Sequence, residues 1–164
     1  MKLYAFKQSV SVLILVLLAF AVDYYSQNVS IENVVFKQLI MFITISIILL
    51  VCNQLLYNYA KKEETFMQHK IWNKMFIIIL GWLMISFILF ILLFFTTPLG
   101  DLISGHAWIM LIVVYYFLFF MNLFVLSIVH IAVTHSMEIE KKIVITWASS
   151  SLLVAVILFL VPGF

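Results

Sequence analysis

Arginine is absent from this chain, cysteine occurs once, proline twice and glycine four times. The single thiol, Cys52, excludes an internal disulfide and any Cys-x-x-Cys redox or metal motif. So little proline and glycine leaves no basis for long flexible linkers. Charge is scarce as well: charged residues make up 10% of the chain, against roughly a quarter in an average soluble domain. The nine Lys exceed the seven acidic residues by only two and form no basic run, so no nucleic-acid partner is expected. Lysine without arginine, with abundant Ile and Phe, is what AT-rich codons produce, and it points to an AT-rich bacterium.

Apolar residues supply 66% of the sequence, and the mean hydropathy is +1.25. A soluble domain holds roughly 45–50% apolar residues. A soluble fold of this composition could not cover its own surface, so the chain reads as an all-α, polytopic membrane protein with one transmembrane domain over 1–164. Charges divide it into uncharged runs at 8–22, 38–60, 75–100, 102–137 and 143–164. A spanning helix needs about 20 apolar residues. Five helices are therefore expected, at about 3–24, 34–59, 74–95, 108–133 and 143–161. The first run is short and spans only if Lys7 snorkels to the headgroups. The competing reading makes residues 1–21 a cleaved signal peptide with Ala19-Phe20-Ala21 as its site, which leaves four helices; a retained helix is preferred.

Eight lysines (2, 7, 61, 62, 70, 74, 141 and 142) fall on one side of that arrangement, and only Lys37 falls on the other. The positive-inside rule puts the N-terminus in the cytoplasm and, with five spans, the C-terminus outside. The second and third helices resemble the fourth and fifth, each pair ending in a Trp-containing helix followed by Pro. The general likeness of apolar helices explains this better than a duplication does.

No Asp, Glu or Lys lies at the middle of any expected span, where pumps and proton relays usually place one. Motifs for metal-assisted hydrolysis, a nucleophilic serine or phosphate binding are missing too. Only His130 of the four histidines lies inside a span, so no haem, metal or other cofactor is expected. The polar residues that remain form stripes. On the fourth expected helix, Tyr115, Phe119, Asn122, Leu126 and His130 share an arc of about 80°. On the second, Ser46, Asn53 and Tyr57 share a face, and Asn53 is expected at the depth of His130. If these helices pack, Asn53, Tyr57, Tyr115, Asn122 and His130 form an intramembrane polar cluster, either a ligand or gating site or interhelical hydrogen bonding. A belt of small polar residues adds Ser46, Ser86 and Ser149-Ser150-Ser151. The segment 96–107, with Pro98, Gly100 and Gly105, reads as a turn-rich outer loop. With the adjoining Trp108 it offers Asp101, His106 and Trp108 as candidate contacts.

The expected function is that of a non-enzymatic membrane protein of a bacterial cytoplasmic membrane. Its partners would be the lipid bilayer and another membrane protein or a second copy, as an accessory subunit or an immunity factor against a membrane-active toxin. A small oligomeric transporter or channel is the alternative, with dependence on Asn53 and Asn122. A lipid-modifying enzyme with His130 as base ranks third.

Overall fold

A computed structural model describes residues 2–28, 34–63, 66–67, 69–105, 107–133 and 137–160. These form six helices: α1 (Lys2–Asn28), α2 (Val34–Lys62), α3 (Trp72–Thr96), α4 (Leu99–Gly105), α5 (Ala107–Ala132) and α6 (Ile139–Leu160). All but α4 are long and apolar enough to cross a membrane. The expected helices therefore correspond to α1, α2, α3, α5 and α6. Their observed ends run past the charges at Lys61, Lys62, Glu140, Lys141 and Lys142. Hydropathy marks only the apolar stretch of a helix, whereas its backbone hydrogen bonds continue into the interfacial layers.

The expected turn-rich loop is corrected by α4. Thr97 has an extended backbone (φ −125°, ψ 164°), and its hydroxyl accepts the Leu99 amide at 3.4 Å. Pro98 stands immediately before α4, where its missing N–H is no loss, and its carbonyl accepts the helix's first hydrogen bond, from Leu102 at 3.0 Å. The Thr-Pro pair that reads as a breaker of α3 is also the start signal of a new helix.

The centre of the bundle is formed by α2, α5 and α6, which pack on one another. α2 and α6 run antiparallel, clamped by two side-chain-to-backbone hydrogen bonds. Gln38 Nε2 donates to the Leu158 carbonyl at 2.9 Å, and Trp147 Nε1 donates to the Ser46 carbonyl at 3.1 Å. α1 lies against α2 and α5. Gln8 Nε2 donates to the Leu55 carbonyl at 3.2 Å, and Tyr115 Oη donates to the Leu15 carbonyl at 3.1 Å. α3 packs on α5 and on α4, and among the described residues it does not run beside α2. By contrast α5 and α6 form a packed hairpin, so the pair α2 and α3 differs in construction from the pair α5 and α6.

Two apolar layers fill the interior. Toward the lysine-rich end, Leu56, Ala60, Met67, Trp72, Ile79, Leu123, Leu126 and Ile143 cluster. Toward the opposite end, Leu49, Val154 and Leu158 are buried, with Phe42, Ile45, Leu118, Met121 and Trp147 against them.

Candidate functional site

Between these two apolar layers lies a polar one. Asn53 Nδ2 donates to Asn122 Oδ1 at 3.1 Å, and Asn122 Nδ2 donates back to Asn53 Oδ1 at 3.1 Å. Ser150 Oγ donates to the same Asn122 oxygen at 3.1 Å, and Asn53 Nδ2 also reaches the Leu49 carbonyl of its own helix at 3.1 Å. Three helices thus contribute one side chain each, and Asn122 and Ser150 have no solvent exposure at all. A primary amide carries two donors and a carbonyl with two lone pairs. The Asn122 oxygen uses both lone pairs, and each amide gives one donor to the other. An amide left unsatisfied in an apolar interior costs several kcal/mol, so this closed pairing is what lets two Asn residues stay there.

The sequence-derived cluster is partly assembled. Asn53 and Asn122 meet, joined by a serine that the expected cluster lacked. Ser150 belonged to the small polar belt; its burial side becomes decidable only once α6 is docked on α2. The expected level of His130 is corrected. Asn53 lies nine residues before Lys62 and Asn122 ten before Ala132, which puts these two at one level. His130 sits eight residues beyond Asn122, about 12 Å closer to the lysine-rich end. There its ring packs against Trp72 with centroids 5.4 Å apart. Tyr57 also leaves the cluster. Its hydroxyl donates to Glu140 Oε1 on α6 and accepts from Lys61 Nζ at 3.3 Å, in an exposed network at the lysine-rich end. Tyr115 points to α1, through the hydrogen bond to Leu15.

Of the candidate outer contacts, Asp101 lies on the exposed side of α4 and Trp108 is exposed near the start of α5. His106 lies outside the described residues. Lys142, one of the eight lysines of the charged end, lies in the first turn of α6 and is buried, which its charge alone does not signal. It is only 3% exposed, and neither an ion pair nor a hydrogen bond joins its ammonium to a described residue.

The comparisons with known proteins add no family: no protein-family model, curated protein or solved structure matches this chain.

Proposed function

We propose that this chain is a non-enzymatic, multi-pass protein of a bacterial cytoplasmic membrane. In this reading it acts as an accessory subunit or immunity-type partner of another membrane protein or of a membrane-active toxin. Its N-terminus faces the cytoplasm and its C-terminus the outside, a reading supported by the eight-to-one lysine distribution.

The observation that carries this reading is the closed pairing of Asn53 with Asn122. The polar groups at the centre of the bundle hold helices together, which leaves the ends and outward faces to meet other molecules. At the outer end, α4 and the start of α5 present Asp101, Leu102 and Trp108. The transporter alternative assigns the same two amides to a passing solute, and it requires their mutual hydrogen bonds to break in every cycle. A catalytic His130 has to work from its packing against Trp72.

Mild-detergent purification from the native host, followed by quantitative mass spectrometry, tests the proposal. The expected result is a second membrane protein at fixed stoichiometry, lost when Asp101, Leu102 and Trp108 are replaced together by Ala. Purification without a partner, combined with solute flux in liposomes that requires Asn53 and Asn122, would replace this reading with the transporter.

A further inference from the structure

A second polar group lies on the outside of the bundle. Trp82 and Ser86 stand two residues either side of Met84, the midpoint of α3, and Tyr116 faces them from the middle of α5. Trp82 Nε1 donates to Tyr116 Oη at 2.7 Å, and the Tyr116 and Ser86 hydroxyls are 2.8 Å apart. Trp82 is 51% exposed and Tyr116 36% exposed. The rings of Phe120 and Phe117 pack beside Tyr116, with centroids 4.8 and 5.4 Å from it.

Counting protons shows what this trio lacks. Trp82, Tyr116 and Ser86 carry three donors between them, and two hydrogen bonds join them. If Tyr116 donates to Ser86, the serine proton has no acceptor. If Ser86 donates to Tyr116, the tyrosine proton has none. Either way one hydroxyl proton and several oxygen lone pairs are left without a further partner among the described residues. In a spanning chain this is the hydrocarbon mid-plane, where neither water nor a headgroup can supply an acceptor.

We propose that the α3–α5 face pairs two copies of this chain about a two-fold axis normal to the membrane. The bilayer fixes every copy at the same depth and in the same orientation, so a two-fold axis sets the trio of one copy against the same trio of the other. The surface is self-complementary: each copy offers the spare proton and the spare lone pairs that the other needs. Met84, on the far side of α3 from the trio, stays turned to lipid. This pairing requires that the chain span the membrane, and it is independent of the accessory role.

The test uses the full chain in liposomes at graded lipid-to-protein ratios, in a Cys52→Ala background that carries one new cysteine. Leu89→Cys lies within about 20° of Trp82 around α3, whereas Met84→Cys lies about 160° from both Trp82 and Ser86. Oxidation is expected to link Leu89→Cys chains into dimers several-fold faster than Met84→Cys chains. Dimerisation of the Cys52→Ala chain, read by energy transfer between labelled copies, is expected to weaken about threefold to tenfold with Ser86→Ala or Tyr116→Phe. Both substitutions keep the helices' packing surfaces, and Tyr116→Phe keeps the ring. A monomer at every ratio, equal linkage from both cysteines, or dimerisation insensitive to both substitutions overturns the proposal. None of these outcomes bears on whether a different protein co-purifies from the host.

Discussion

The side-chain amides of Asn53 on α2 and Asn122 on α5 bind each other in both directions, at 3.1 Å each way, and Ser150 of α6 completes the Asn122 carbonyl. One layer of three side chains therefore fixes the relative depth of the three central helices. An apolar layer tolerates sliding by one residue far better than such a layer does, because a slip leaves two amides unsatisfied in an apolar interior.

That difference predicts the effect of removing one partner. Asn122→Ala strips Asn53 of its reciprocal partner and Ser150 of its acceptor, and should destabilise the protein by about 1–3 kcal/mol. Unfolding of the purified protein by denaturing detergent reads this as a lower midpoint. Replacing both Asn53 and Asn122 by Leu should cost less than Asn122→Leu alone, since no orphaned amide remains.

Trp72 ties the loop before α3 to the centre of the bundle. It is 1% exposed, its Nε1 donates to the Phe66 carbonyl at 2.6 Å, and its ring meets Phe66 at 5.1 Å and His130 at 5.4 Å. Trp72→Ala should cost about 3–5 kcal/mol, and Trp72→Phe clearly less because a ring still fills the site. Thermal unfolding followed by circular dichroism checks both. Equal losses from the two would show that the hydrogen bond, not the ring, matters there.

The five long helices were legible because charge and hydropathy change abruptly at their ends, as at Lys61-Lys62 and Lys141-Lys142. α4 was not, since Pro98, Gly100 and Gly105 look like turn formers until Thr97 is seen capping the first turn. Periodicity puts Asn53 and Asn122 each on a polar stripe of its helix and makes them members of one cluster if those helices pack, but it sets Asn53 level with His130 and not with Asn122. It also grouped Tyr57, Tyr115 and His130 with them, because residues on one helical face share a direction but not a neighbour. Tyr57 meets α6, Tyr115 meets α1 and His130 meets Trp72. Which helix covers which part of a face is set by the docking of α1, α3 and α6, a long-range outcome that a single helix's pattern does not contain.

The network of Tyr57, Glu140 and Lys61 is exposed, so its effect should be small. Tyr57→Phe is expected to change stability by about 0–1 kcal/mol, with the difference shrinking at high salt. The same unfolding assay, run at two ionic strengths, measures this. A loss as large as that of Asn122→Ala would mean that this end of α2 and α6 holds the bundle together.

Orientation has its own test. In a Cys52→Ala background, Glu63→Cys should react with an impermeant thiol reagent only from the cytoplasmic side, and Asp101→Cys only from the outer side. The opposite pattern would reverse the topology. Intact mass of the same samples should include residues 1–21, since α1 docks on both α2 and α5. A mass lacking them would make the first segment a signal peptide.

The most direct measurement is a double-mutant cycle on Asn53 and Asn122, with Ala at each position and at both, read as unfolding free energy in one detergent system. The paired-amide account predicts coupling of about 0.6–2 kcal/mol, with the double variant much less impaired than the sum of the singles. Losses that add to within about 0.3–0.5 kcal/mol would contradict it and return both residues to the roles of independent ligands or packing groups.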